Sequence, residues 1–291
     1  MNSPFQLDSR SVRRWFDRAS ATYADAADLQ RQVRDELLSR LDFFPLAPQL
    51  VLDIGAGLGE GATRLRRQFP RARVIAVDLA PAMLRRGARR RFWRRPLALC
   101  ADVRRLPFAD ASVDLAFSNL MLQWCDQPVQ AFAEIARVLR PGALLLASTF
   151  GPLTLQELRA AWASADHAPH VSHFPDLPEL ASQLTATGFQ EPVLDIETQT
   201  RFYPDPLSLQ RQLQRLGARN ANHARRRTLT GKSRWRAMNT QYESLRTGRG
   251  LPATWELIYM VAFGGGRRSP GGGAPGEQQV PVDSIRLRRR P

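Results

Sequence analysis

Residues 51–59 read VLDIGAGLG: an apolar run, one carboxylate, then glycine at positions 55, 57 and 59. The run has the length of a buried strand and the glycines mark a tight turn after it. Such a junction serves dinucleotides, phosphates and other ligands alike. A dinucleotide fingerprint asks for Gly-x-Gly-x-x-Gly, with the pyrophosphate on the following helix N-terminus. Counted from Gly55, the sixth position is Glu60, whose charge repels phosphate; counted from Gly57, GLGEGA is a permitted variant, so the loop alone leaves the choice open. The Gly-Lys-Ser/Thr ending of a phosphate-cradling loop does not follow this strand.

Downstream, strands are predicted at 50–54, 73–78, 97–101, 113–117 and 143–150. Helical stretches alternate with them, notably PVQAFAEIARVLRPG, with Pro128 at its start and Pro141-Gly142 as its stop. Near-continuous apolar strands separated by helices predict a mostly parallel α/β sheet covered on both faces. Asp53 closes the first strand, Asp78 the second, and Asp102 follows the third. A strand-end Asp often only caps a helix or forms a turn. Three in register behind one glycine loop instead line the crevice at the carboxyl edge of the sheet. The fitting ligand offers an ammonium for Asp53, a ribose diol for Asp78 and an exocyclic amine for Asp102. S-adenosylmethionine has all three and no phosphate, and Gly55, Gly57 and Gly59 let the backbone approach its methionyl tail.

The chain has 291 residues, 43% of them apolar, enough for one elaborated domain with a proper core. No run of 18 apolar residues and no secretory leader is present, which predicts a cytoplasmic protein. Cys100 and Cys125 lack metal or disulfide spacing, and the four histidines show no metal pattern. The formal charge is +15, with 17 basic and 5 acidic residues from Asp205 onward. A basic balance attracts polyanions without naming one. An N-terminal helical segment over 1–45 precedes the first strand, and two further strands are predicted at 192–203 and 254–263. Residues 206–247 between them read as a basic helical insertion, and 264–291, rich in Gly, Pro and Arg, as a disordered tail.

The motifs DIGAGLG, VDLAPAML, ADVRRLPF and FSNLMLQW together resemble the class I methyltransferase family at its successive cofactor motifs. The resemblance implies a Rossmann-like, seven-stranded domain over 1–263, the N-terminal segment closing as a lid. It adds Leu79, Met83, Val103 and Asn119 to the cofactor contacts. SNLMLQWC lacks the Pro-Pro of amino methyltransferases, and Cys125 lacks the preceding proline of a cysteine nucleophile. VRRWFDRASATYADAADLQ, STFGPLTLQELRAAW, HVSHFPDL, LGARN, LTGKSRW and LPATWELIYMVAF resemble, more closely, the malonyl-[acyl-carrier-protein] O-methyltransferases of biotin synthesis. One departure is His173, where arginine is expected. That likeness implies methyl transfer from S-adenosylmethionine to the free carboxylate of malonyl acyl carrier protein or malonyl-CoA. It needs no general base, because the acceptor is ionised at neutral pH. Candidates for holding the acceptor are Tyr23, Gln123, Trp124 and Arg219, the last with Arg225, Arg226 and Arg227 in an insertion expected to dock the carrier. Two alternatives stay open: a nucleic-acid methyltransferase, from the charge and the run RRGARRRFWRR (85–95), and an assembly factor on the same scaffold.

Overall fold

The computed structural model describes residues 6–90 and 96–265. Helices α1 (Ser9–Ala19), α2 (Tyr23–Ala26) and α3 (Asp28–Ser39) lead through a 3-10 turn at Arg40–Phe43 into β1 (Leu50–Ile54). There follow α4 (Glu60–Gln68), β2 (Arg73–Asp78), α5 (Pro81–Arg90), β3 (Leu97–Cys100), β4 (Val113–Asn119), α6 (Pro128–Val138) and β5 (Leu139–Phe150). The remainder is α7 (Gln156–Ala163), α8 (Leu177–Ala186), β6 (Phe189–Tyr203), α9 (Pro206–Arg215), α10 (Lys232–Glu243) and β7 (Leu251–Gly264). The seven strands form one sheet in the order β3-β2-β1-β4-β5-β7-β6, parallel except for β7 against both its neighbours.

Strand alternation explains the apolar runs. Val51, Leu115, Phe117, Leu144 and Leu146 face one layer, where Leu29, Val33 and Leu37 of α3 cover them. Leu52, Ile54, Ala116, Leu145 and Ala147 face the other, against Phe132 and Ile135 of α6 and Leu180 and Leu184 of α8. Both faces are dry, so successive residues are apolar rather than alternating. The edge strand β6 alternates between half-buried and exposed instead, as one open face allows.

Several boundaries differ from the sequence reading: β6 and β7, for example, each begin three residues earlier than predicted. Helix α6 ends at Val138, not at Pro141-Gly142, because Leu139 is already extended and pairs with Val113. Strand β5 therefore begins four residues before the predicted 143, with Gly142 at φ 74° inside it. The segment 206–247 is helical only in α9 and α10; between them the chain is irregular, and Leu7 bridges to Asn222. Gly264, expected to open the tail, is the last residue of β7; the tail from 266 on, and residues 91–95 of the arginine run, lie outside the described residues.

Gly87, inside α5, has a packing reason. A Cβ there would stand 2.2 Å from the backbone oxygen of Leu58. Helix propensity favours alanine over glycine by about 1 kcal/mol, but the collision is with backbone and cannot be relieved by a rotamer. Gly87→Ala is expected to lose at least about 1 kcal/mol of unfolding free energy net, within the usual range for overpacking. A urea titration showing a gain would mean that α5 is free to move off the glycine loop.

Candidate functional site

The strand order reverses between β1 and β4, which opens a crevice at their carboxyl ends. The chain leaves β1 through Gly55, at φ 74°, whose N–H donates to the Val77 carbonyl at 2.8 Å. A Cβ on Gly55 would lie 2.2 Å from Cγ of Met121, so the loop and the segment after β4 meet at van der Waals distance only because this residue is glycine. Gly57, at φ 54°, lines the cleft, and apart from its chain neighbours no atom of the described residues lies within 4 Å of the place of its missing Cβ. Gly59 is different. It caps α4 in the left-handed region at φ 70° and lies behind the loop, off the cleft; its role is to start a helix.

The cleft is walled by Ile54, Gly55, Gly57, Val77, Asp78, Leu79 and Met83 on the β1–β2 side. Ala101, Asp102, Val103 and Arg104 follow β3, and Asn119, Leu120, Met121, Trp124 and Cys125 follow β4. Ser9, Val12, Phe16 and Tyr23 of the N-terminal segment close it. Asp78 holds the loop in place: one carboxylate oxygen accepts from Gly57 N–H at 2.7 Å, the other from Ala80 N–H at 2.7 Å. A carboxylate has about four acceptor positions, so two remain for a ligand. Burial raises the Asp78 carboxyl to about 6, against the opposing pull of those two N–H groups.

Asp102 lines the cleft as expected but also has a partner within the fold. Its carboxylate is forked by the Arg104 guanidinium at 2.6–3.2 Å and also accepts the Arg104 N–H at 3.0 Å, which holds it below the usual carboxylate range. An adenine amine must compete with that ion pair. Nothing in ADVRRLPF separated Arg104 from Arg105; only the turn after Asp102 aims the former back. Asp53 is likewise employed within the fold, accepting from Ala62 N–H in the first turn of α4 at 2.6 Å. Gly61 is required there, since its Cβ would come 2.8 Å from the same oxygen.

Asp53 also lines a second recess, continuous with the cleft through Tyr23, Gly55 and Asn119. Gln30, Arg31 and Arg34 of α3 form its far wall together with Glu60. Arg34 is nearly buried and pairs with Glu60 at 2.5 Å and Asp35 at 2.9 Å. Buried Oε1 of Gln30 has no hydrogen-bond partner among the described residues, and Gln30 lines this recess beside Arg31, Arg34, Asp53 and Glu60. Asn119 donates to the Gln30 carbonyl at 3.0 Å and ties α3 to the end of β4. The sequence reading missed Gln30, Arg31 and Arg34; their helical spacing was the only signal, and it does not tell a buried arginine from a solvated one.

Of the candidates for holding the acceptor, Tyr23 lines both recesses. Burial, with the Asp78 carboxylate beside it, pushes its phenol above the ordinary range, so it stays a donor. Trp124 lines the cleft and meets Phe16 edge-on at 5.2 Å. Gln123 does not reach the cleft: it is buried, donates to the Leu120 carbonyl at 2.7 Å and accepts from Thr149 at 3.3 Å. Arg219 is exposed and lines neither recess, because the turn after α9 directs it to solvent. The Cys125 thiol is pushed up to about 12 by burial and so stays protonated, an unpromising nucleophile.

Residues 52–147 match the family described as methyltransferase domain. Among solved structures, the YcgJ protein of Bacillus subtilis superposes with a TM-score of 0.57 at 18% identity, covering 80% of this chain and 98% of that one. The [4+2]-cyclase SpnF superposes with a TM-score of 0.51 at 20% identity, over 81% and 82%. These likenesses establish a Rossmann-like class I methyltransferase fold, and the cyclase shows that the scaffold alone does not fix the reaction. Sequence relatives are more specific. The malonyl-[acyl-carrier protein] O-methyltransferase of Xylella fastidiosa (strain M23) is 44% identical, with 100% of this chain and 99% of the relative aligned. That of Laribacter hongkongensis (strain HLHK9) is 43% identical, over 90% and 92%. With identity of this order end to end on the fold and cleft described above, the chain belongs to the malonyl-[acyl-carrier protein] O-methyltransferase family.

Proposed function

We propose that this chain transfers the methyl group of S-adenosylmethionine to the free carboxylate of a malonyl group held as a thioester on acyl carrier protein, giving the methyl ester. Malonyl-CoA is the smaller carrier of the same acceptor, nucleic acid is not a substrate, and the reaction is cytoplasmic. No helix among the described residues is long and apolar enough to cross a membrane. The observation that carries the reading is the Asp78 carboxylate, clamped by Gly57 and Ala80 with acceptor positions left over inside a cleft walled by Leu79, Met83 and Val103. A nucleoside fits those groups: its diol donates to Asp78 and its base packs on the apolar wall. Gln30 Oε1 and Asp53 suit the ammonium of a methionyl tail, and Arg31 suits its carboxylate.

When bound, S-adenosylmethionine supplies an electrophilic methyl on a sulfonium. The protein has to hold the acceptor in line and keep water out. Tyr23, at the junction of the two recesses and protonated at working pH, donates to an acceptor oxygen without being able to act as a base. Phe16 and Trp124, packed edge to face, exclude water from the same wall. The acceptor's own pKa is near 4, so no proton has to be removed.

Asp78→Asn keeps the side-chain shape and removes the charge. It is expected to weaken S-adenosylmethionine binding about ten- to a hundredfold by calorimetry, the usual worth of hydrogen bonds to a charged group. Unchanged affinity would remove the cofactor assignment.

The pH dependence follows from the raised Asp78 carboxyl. The ionised form binds the diol, so cofactor affinity and kcat/KM for the cofactor fall as pH drops below about 6 and are level above it. In the ligand-free protein the sign is opposite: a native carboxyl above its unfolded value costs stability as pH rises from about 4 to about 6, and the cost is constant beyond. With both substrates saturating, kcat is expected to be flat between about pH 6 and 9. A rate rising through a group near 7 would reveal a base and exclude a carboxylate acceptor.

Acetyl thioesters, lacking the second carboxyl, are expected to take no methyl. Succinyl thioesters should react about a hundredfold more slowly, since one methylene moves the oxygen out of line. Mass spectrometry of each product distinguishes these from methylation at nitrogen or hydroxyl.

A further inference from the structure

Helix α1 has two faces with different occupations. Its inner face places Ser9, Val12 and Phe16 in the wall of the cleft. Its outer face carries Arg10, Arg14 and Arg18, all exposed and spaced four apart. Like charges at that spacing destabilise a helix, so folding alone does not favour the stripe. Helix α5 lies against α1, joined where an Asp17 carboxylate oxygen accepts the Ala82 N–H at 2.8 Å, and it adds exposed Arg85, Arg86 and Arg89. None of these six forms an ion pair among the described residues. The carboxylates nearby are already engaged: Asp8 caps α1 through Arg10 and Ser11, Asp17 meets α5, and Asp126 accepts from Leu7 N–H at 2.7 Å.

The arginines of the 206–247 segment are placed otherwise. Arg226 reaches Asp166 at 3.3 Å and Arg225 lies 3.6 Å from Asp8, so both act within the fold, and Arg219 stands apart from the cleft. Arg227 lies next to the α1 set: with Arg10 and Arg14 it lines an open recess that shares Ser9 with the cleft.

We propose that the outer faces of α1 and α5 are the docking surface for the acidic face of the carrier protein, which from there delivers its thioester-linked chain past α1 into the cleft. The proposal rests on the function proposed above and places the partner. Charge complementarity identifies it: an uncompensated arginine field selects a polyanionic surface, and the cleft behind the same helix selects one bearing a tethered acyl group. Long-range attraction of this kind raises the association rate and is screened by salt.

The test uses the full chain with the paired variants Arg14→Glu/Arg18→Glu and Arg86→Glu/Arg89→Glu, and Arg14→Gln/Arg18→Gln as a milder change that keeps helix propensity. Malonyl carrier protein, malonyl-CoA and malonyl-pantetheine, which has no phosphate, serve as acceptors, with direct carrier binding measured beside the assay. The expected result is a KM and Kd for the carrier raised about tenfold or more, with a shallower salt dependence, graded from Gln to Glu. S-adenosylmethionine affinity and kcat with malonyl-pantetheine stay within about twofold of wild type, as for sites that do not interact. An unchanged carrier Kd overturns the surface. So does an equal rise in KM for malonyl-pantetheine, or loss of tRNA binding with the carrier unaffected. If the wild type methylates none of the acceptors, the proposed reaction fails, while the effect of the variants on carrier binding still decides the surface.

Discussion

A single carboxylate, that of Asp78, sets the geometry on which the cleft depends. It ends β2, fixes the glycine loop through Gly57 and starts α5 through Ala80, so three elements take their relative position from one buried group. Holding it there is unfavourable in the absence of ligand, as its carboxyl near 6 records. A site that keeps a desolvated acceptor ready spends stability on preorganisation, and a ligand with a diol and a positive charge recovers it. The glycines obey the same constraint. Gly55 and Gly61 are needed because Met121 and Asp53 stand where a Cβ would be, whereas Gly57 leaves the cleft side of the loop open.

The N-terminal segment completes the site from outside the sheet. Its helices contribute Phe16 and Tyr23 to one recess and Gln30, Arg31 and Arg34 to the other. They are held down by contacts reaching far along the chain: Leu7 to Asp126, Thr22 to Arg215, and Gln30 to Asn119. Elsewhere, Asp166 gathers His170 at 2.8 Å, Arg226 at 3.3 Å and Arg234 at 3.7 Å, while the His170 ring stacks on Trp162. This cluster fixes the irregular stretch between α9 and α10 to the α7–α8 connection, and it accounts for two arginines that composition alone assigns to a surface.

Much of the fold was legible because parallel strands buried on both faces leave continuous apolar runs, and each of the seven predicted strands is present. Their ends were less legible. Leu139 to Gly142 reads as the close of a helix, yet pairing with β4 outweighs that local preference. Within the cleft, adjacent Gln123 and Trp124 looked equivalent. In the 3-10 turn at Leu122–Trp124 successive side chains diverge, so the amide turns inward to the Leu120 carbonyl while the indole faces the cleft.

By itself, then, the sequence determined the βα rhythm, the glycine loop and the carboxylates at successive strand ends, since these follow from local periodicity and from what a tight turn tolerates. Tertiary structure decided which polar groups remain available to a ligand. Asp102 shares its carboxylate with Arg104, Asp53 shares its own with the start of α4, and Arg225 meets Ser11 across 214 positions of chain. Residue type fixes what a side chain can donate or accept. Only the folded neighbourhood determines whether that capacity is already used, because a buried polar group takes whatever partner packing brings within about 3 Å.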